Sequence, residues 1–165
     1  MGNSQTFKPR KITLRTTPLE INLSPTSERF LYAKSREEGI SDLIYLALNS
    51  KDEESWIFFS SPPTWLETGD RHLTDPSKLF VEVSMNPNFI SDILAVKRRY
   101  EFWHIHPALA NGDYDRENPS SDDMRVAGTL ARWASQNGSL ADFYVVTPTS
   151  VVQYNEGGIL SRSKY

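Results

Sequence analysis

The spacing of apolar residues along the chain predicts three helices. Within residues 37–49, and again within about 122–136, apolar side chains recur every three or four positions, as they do in a helix with one buried face. The second segment follows Ser120 and Ser121, either of which can cap a helix, and stops at Asn137-Gly138, a common helix end. A similar pattern over residues 89–98 predicts the third helix.

Shorter apolar runs, bounded by proline and polar clusters, predict the strands of a sheet. Interior strands are expected at residues 56–59, 79–83, 100–106 and 143–147, a hairpin partner at 151–154, and edge strands at 12–16 and 19–23. The polar stretch 64–78 is predicted to be a long loop or a ragged hairpin, and the stretch 108–119 to be a long loop. Trp65 in the first stretch is a candidate for a partner contact. The order of elements predicts an α/β fold, with a mixed sheet flanked by helices.

Length and composition narrow the class of protein. A chain of 165 residues, 38% hydrophobic and 24% charged, suits one globular domain, which we expect over residues 12–165 behind a flexible tail at 1–11. A net charge of −3 gives no reason to expect nucleic acid as a partner. There is no apolar run of membrane-spanning length and no signal-peptide pattern, so a cytoplasmic location is the expectation. With no cysteine, any metal must be bound by nitrogen and oxygen ligands.

Two of the three histidines of the chain, His104 and His106, stand two positions apart near the end of a predicted strand. Residues at this spacing project to the same face of a strand, so the two imidazoles can bind one Zn²⁺ together. Pro107 then leads the chain into a loop, where a site is accessible while the strand keeps it rigid. The pair therefore predicts two ligands of a metal site.

A third ligand can come from the start of the following helix. Asp123 lies in its first turn, and the intervening loop can return that carboxylate to the end of the strand. Ser120, at the helix entry, could hydrogen-bond a water or a developing oxyanion. Two histidines and one carboxylate leave a fourth tetrahedral position open, which is typical of a catalytic zinc site rather than a structural one.

The residues His104-Ile105-His106-Pro107 and Pro119-Ser120-Ser121-Asp122-Asp123 resemble the JAMM signature of the JAB/MPN family, H-x-H-P followed by P-S-x-x-D. The signature covers about twenty residues, and the order of elements from residue 37 to 154 also agrees with the family. The resemblance implies an MPN fold, with a three-layer arrangement similar to that of cytidine deaminases. It also implies a zinc metallopeptidase that removes ubiquitin-like proteins or cleaves another peptide or amide.

The family places its general base, a glutamate, at the start of the strand after the first helix, in an E-x-x-G pattern. The corresponding residues here are Glu53 and Glu54, and the glycine is missing. Counting from the helix favours Glu54, whereas aligning the end of the strand on Ser60 favours Glu53; Glu54 is the predicted base. The glutamate would take a proton from a zinc-activated water and pass it to the leaving amine, while Ser120 and zinc stabilise the oxyanion.

Other interpretations stay open. Without its glycine, the domain could be an inert MPN-type scaffold, or a different metal hydrolase with a second site in its acidic loop. The loop over residues 108–119 is longer than in the family and carries Asp113, Asp115 and Glu117. It is predicted to be mobile without a partner and to act as a lid or docking loop for a basic protein surface.

Overall fold

The computed structural model describes residues 31–60, 62–68 and 93–165. Within these residues the chain forms one seven-stranded mixed sheet and two complete helices. In chain order, the elements are β1 (Leu31–Ala33), α1 (Arg36–Asn49), β2 (Ser55–Phe59), β3 (Thr64–Thr68), β4 (Arg99–Ile105), α2 (Ser121–Gln136), β5 (Leu140–Val146), β6 (Ser150–Asn155) and β7 (Gly158–Lys164). The predicted mixed α/β architecture is confirmed.

The strands lie in the order β1-β3-β2-β4-β5-β6-β7, and β4 with β5 is the parallel pair. Two parallel neighbours need a crossover connection, and α2 provides it by packing over one face of the sheet. Antiparallel pairing of β4 with β2 sets Ser55 opposite His104. The parallel pairing sets Phe102 opposite Phe143 and His104 opposite Val145.

Strand alternation divides the core into two clusters on opposite faces of the sheet. One face packs against α2 and is called the α2 face: it includes Ile57, Phe102 and Phe143 with Leu130 of the helix. The other packs against α1 and is called the α1 face: it includes Trp56, Phe58, Trp103 and Ile105 with Ile40 and Ile44 of the helix. Neighbouring residues of one strand therefore belong to different layers.

Helix α1 begins in a capping box. The Ser35 hydroxyl accepts from the Glu38 amide, and the Glu38 carboxylate accepts from the Ser35 amide. These bonds satisfy amide donors that a helix start leaves without partners. The helices predicted at 37–49 and 122–136 are confirmed to within one residue, and the strands at 56–59, 100–106, 143–147 and 151–154 are confirmed with shifted ends.

Of the two alternatives predicted for residues 64–78, the hairpin is confirmed at the start of the stretch, where β3 pairs with β2, and the loop is wrong there. Residues 64–68 form β3, and Trp65 is 2% exposed, so it is a core residue and not a surface for a partner. Its indole Nε1 donates to the Ser35 carbonyl, 3.1 Å away. Its ring lies against Gly39, where a Cβ would come within 2.0 Å of Trp65 Cε2. A glycine at this point of α1 allows the helix to approach the indole.

The remaining differences concern the ends of the sheet. Strand β7 was not predicted, and it extends the sheet beyond β6.

Several predicted elements lie outside the described residues: the tail at 1–11, the strands at 12–16, 19–23 and 79–83, and most of the helix at 89–98. No helix in the described part of the chain has the length and apolar character needed to cross a bilayer.

Candidate metal centre

The backbone at the end of β4 is held from both sides, and this fixes the two histidines. The Ile105 amide donates to the Glu54 carbonyl at 3.0 Å, and the His106 amide donates to the Val146 carbonyl at 2.9 Å. Both imidazoles are buried, with 8% of His104 and 4% of His106 exposed. The two rings project to the α2 face because they alternate with Trp103 and Ile105, which pack against α1.

The first turn of α2 brings a carboxylate to the same point. Ser120 is the N-cap, and its hydroxyl accepts from the Asp123 amide at 3.0 Å. In return, Asp123 Oδ2 accepts from the Ser120 amide at 2.7 Å, which completes a capping box. The S-x-x-D spacing therefore has a local structural role, because the capping box that it allows holds the aspartate in one position without any ligand.

The three side chains form a nearly equilateral triangle. His104 Nε2 lies 3.3 Å from His106 Nε2, and Asp123 Oδ2 lies 3.3 Å from each of these nitrogens. A regular tetrahedron with this edge has its centre about 2.0 Å from each corner, close to the roughly 2.0–2.2 Å of zinc bonds to nitrogen and oxygen. The donor set and its spacing therefore fit a tetrahedral Zn²⁺ with its fourth position open.

Hydrogen bonds to the other ring nitrogens orient the imidazoles. His106 Nδ1 lies 3.1 Å from the Arg116 carbonyl, an acceptor, so Nδ1 carries the proton and Nε2 keeps its lone pair for a metal. His104 Nδ1 lies 3.5 Å from the hydroxyl of Tyr154, which is a longer contact of the same kind. Outer partners of this type usually fix the tautomer of a metal-binding histidine.

The charges of the three groups favour one another in the metal-free protein. Burial opposes ionisation of Asp123, but the imidazoles of His104 and His106 outweigh it and hold the pKa of the carboxyl well below its usual range. Burial likewise opposes protonation of His104, and the nearby Asp123 and Glu53 carboxylates nevertheless raise its pKa. In the metal-free protein, a protonated His104 and an ionised Asp123 therefore stabilise each other in a largely buried site.

The two candidate bases differ in their relation to the metal ligands. Both are buried, but Glu53 lines the cavity at the histidines, and Glu54 is not among the described residues that line it. Glu53 shares the parity of Ser55, which lies opposite His104 in the sheet, whereas Glu54 shares that of Trp56 on the α1 face. The geometry therefore favours Glu53 as the general base, whereas counting along the sequence from the first helix favours Glu54.

Ser120 lies at the edge of the same cavity. Its hydroxyl oxygen accepts the cap hydrogen bond, and this leaves the O–H proton able to donate toward the ligand triangle. The residue can therefore cap the helix and bind a substrate oxygen at the same time.

The loop between β4 and α2 contains hydrogen bonds of its own, centred on Arg116. The Arg116 guanidinium donates to the carbonyls of Ala110 at 2.6 Å and Gly112 at 3.1 Å, and it lies over the Tyr114 ring at 4.3 Å. Its own carbonyl is the partner of His106. Arg116 therefore links residues 110–116 of the loop to one another, although residues 111–113 stay exposed. The predicted mobility of the loop and its role as a lid or docking loop stay predictions.

A second set of contacts ties the loop to the end of the chain. Arg162 of β7 donates to the Glu117 carbonyl at 2.8 Å and to Asn118 Oδ1 at 2.5 Å. The Glu117 carboxylate accepts from the hydroxyls of Thr147 and Thr149 in the turn between β5 and β6. Sequence patterns did not point to Arg116, Arg162 or Tyr154, because each acts on the site through contacts distant in sequence.

The triangle opens into a cavity of about 420 Å³ between α2 and the sheet. In the part of the chain that the structure describes, its walls include the three ligand side chains, Glu53 and Ser120. This volume lies within the range of small-molecule sites in proteins. A small molecule in this cavity would therefore lie against the candidate metal ligands.

Comparison of the chain with family models, with curated proteins and with solved structures finds no significant match.

Proposed function

We propose that this protein is a zinc-dependent hydrolase of peptide, isopeptide or related amide bonds. The observation that carries the proposal is the triangle of His104 Nε2, His106 Nε2 and Asp123 Oδ2, with all three sides 3.3 Å long. Groups that hold a tetrahedral zinc with an open position and an adjacent buried carboxylate are typical of zinc hydrolases. A structural zinc site would use a fourth protein ligand.

Zinc in this donor set supplies Lewis acidity, which lowers the pKa of a water molecule toward 7 and polarises a carbonyl group. Glu53 takes the proton released by the attacking water and delivers it to the leaving amine. The Ser120 hydroxyl donates to the oxyanion that develops on the substrate carbonyl. His106 and Asp123 keep their orientations because the Arg116 carbonyl and the α2 capping box hold them.

The JAB/MPN metallopeptidases are the family that this arrangement suggests. Support comes from the H-x-H-P end of β4, the P-S-x-x-D entry to α2 and a sheet with one helix on each face. The twelve-residue loop over 108–119 and the absence of the E-x-x-G glycine depart from that family. The substrate class we infer is a protein or peptide, with a ubiquitin-like protein as one candidate.

Metal-dependent hydrolysis tests the proposal directly. Protein stripped with a chelator should cleave no quenched fluorescent peptide from a random library, and one equivalent of zinc should restore cleavage. Asp123→Asn keeps the shape of the ligand but removes its charge, and it should abolish restoration. Asp142→Asn, the same change on β5 at a residue outside the described cavity lining, is the matched control. A zinc-loaded protein that hydrolyses neither peptides nor isopeptides would instead support the inert scaffold.

A further inference from the structure

The cavity at the metal centre continues past the ligands into an apolar compartment. Its floor on the α2 face is aromatic: the ring centroid of Tyr154 lies 6.0 Å from that of His104, and Phe143 lies 6.2 Å from Tyr154. Phe102 stacks on Phe143 at 5.5 Å. Phe102 also precedes His104 by two residues on β4, so the floor extends roughly 7 Å along the strand from the metal ligands.

Helix α2 forms the roof of this compartment. Val126, Ala127 and Leu130 line it, three, four and seven residues after the ligand Asp123. Positions at these spacings lie on one side of a helix, and Leu130 is about 10 Å along the axis from the aspartate. The same helix therefore supplies a metal ligand at one end of the cavity and an apolar wall at the other.

The lining of the cavity carries more acidic than basic side chains. Glu53, Asp115 and Asp122 are part of it together with the ligand Asp123, and Arg125 is the one lysine or arginine among the described lining residues. Asp122 and Arg125 also lie 3.5 Å apart as an exposed pair, so the arginine is partly neutralised. A group that enters the apolar compartment past these carboxylates is expected to be neutral or cationic, and not a carboxylate.

We propose that this compartment is a specificity pocket that takes an apolar side chain of leucine or phenylalanine size, from the residue beside the hydrolysed amide. The inference rests on the proposed function and names its substrate class: an internal peptide or amide with a bulky apolar residue, rather than a glycine tail. The ligand triangle and the apolar compartment line one cavity, so a substrate whose scissile carbonyl lies at the triangle can place the neighbouring side chain in the compartment. Burying such a side chain is a large favourable term in binding.

Binding of two small amides tests the pocket without depending on turnover. N-acetyl-leucinamide and N-acetyl-glycinamide share all polar groups and differ by one isobutyl group. Ligand-observed NMR should show the leucine amide binding at least tenfold more tightly than the glycine amide, as expected for burial of a side chain of this size. The preference should be present in both the metal-free and the zinc-loaded protein, because the compartment is formed by carbon atoms of the chain.

Two substitutions at Val126 change the size of the compartment in opposite directions. Val126→Phe should fill it and remove the preference for leucine, whereas Val126→Ala should enlarge it and favour N-acetyl-phenylalaninamide. Ser135→Phe, which adds the same ring at an exposed position of α2, is the control for a general effect on the helix.

The specificity pocket would be overturned if the leucine and glycine amides bind equally, or if neither change at Val126 has an effect. Equal binding would also result if other residues of this chain occupy the compartment, and then no pocket is available to a substrate. Failure of the proposed function has a different signature. In that case zinc is not retained or no amide is cleaved, while the preference for the leucine amide and its loss in Val126→Phe persist as evidence of an apolar binding site.

Discussion

Both faces of the sheet carry a hydrophobic core, but at the end of β4 they differ in character. On the α1 face, Trp65 lies 5.6 Å from Trp103, and Trp103 stacks on Tyr144 at 4.2 Å with nearly parallel rings. Arg36 covers this stack and pairs with Glu101 at 2.8 Å. On the α2 face, next to Trp103, His104 belongs to a polar triangle at a cavity.

Neighbouring residues of β4 therefore have different roles: one packs in the core of the α1 face, and the next presents a polar group to the cavity on the α2 face. Trp103 and Ile105 are each 1% exposed or less and contribute to stability by burial. His104 and His106 are also buried, yet their nitrogens are directed at each other and at a carboxylate, an arrangement that packing does not require. Substitutions of Trp103 and Ile105 should therefore change stability, whereas substitutions of His104 and His106 should change metal binding and turnover.

The largest expected effect is on turnover, and it should differ between Glu53 and Glu54, two adjacent glutamates assigned to opposite faces of the sheet. Glu53→Gln should lower turnover on the order of 10²-fold or more, because the general base is lost while zinc is retained. Glu54→Gln, with the parity of the α1 face, should leave turnover within a few-fold of the parent. Single-turnover rates with matched zinc content measure both. A large loss in Glu54→Gln with none in Glu53→Gln would reverse the assignment of the base.

The next effect concerns packing on the α1 face. In Gly39→Ala the new methyl group would meet the Trp65 ring, and overpacking of this kind costs about 1–3 kcal/mol of unfolding free energy. Urea unfolding measures the loss, with the exposed Glu37→Ala on the same helix as control. Zinc affinity of the folded protein should stay unchanged. A Gly39→Ala variant as stable as the parent would show that the close contact is absent.

A smaller effect is expected where β7 supports the candidate metal site. Arg162→Ala removes the donors to Glu117 and Asn118, so the loop that carries the His106 partner should be less well held. Zinc affinity should fall about tenfold, the lower end for loss of an outer partner of a ligand, and Arg162→Lys should recover part of it. Competition with a fluorescent chelator measures this, and Lys164→Ala on the same strand should have no effect.

The pH dependence of stability should be the smallest effect, and it belongs to the α2 face. Without metal, the raised pKa of His104 stabilises the fold below about pH 6.5, and this contribution is lost as pH rises through the folded-state pKa. The lowered pKa of Asp123 stabilises the fold above about pH 4, and this contribution is lost as pH falls.

Metal-free protein should therefore be more stable near about pH 5.5 than near about pH 8, relative to a His104→Gln variant. Thermal unfolding at the two pH values measures the difference. With zinc bound, the trend should reverse, because the ligands must lose protons to bind metal. An identical pH profile for the parent and His104→Gln would contradict the coupling of the imidazole to Asp123.

The parts of the site that were predictable are those that local spacing encodes. The H-x-H strand and the S-x-x-D helix entry each bring their own residues to one point, so His104, His106, Asp123 and Ser120 were found in advance. The choice between Glu53 and Glu54 depends on the register of β2 against β4, which sets Ser55 opposite His104. That pairing joins residues far apart in sequence, and no local pattern encodes it.

The elements that were missed have physical reasons of the same kind. Strand β7 is exposed along most of its length, so it has no apolar alternation to reveal it. Strand β3 is short and follows two prolines, so the sequence left both a loop and a hairpin open there. The burial of Trp65 depends on Phe58, Trp103 and the close approach of α1 at Gly39, which lie far from it or in other elements. The contacts of Arg116 and Arg162 to loop carbonyls depend on backbone geometry, which composition does not show.

Metal content of the purified protein tests the central claim most directly. After exposure to zinc and exhaustive dialysis, the parent should retain about one zinc ion per chain by elemental analysis. The double variant His104→Ala, His106→Ala should retain none while keeping the far-ultraviolet circular dichroism of the parent. Trp103→Phe, changed at the intervening position on the α1 face, should retain zinc like the parent. A double variant that holds zinc as well as the parent would show that the triangle is not the metal site.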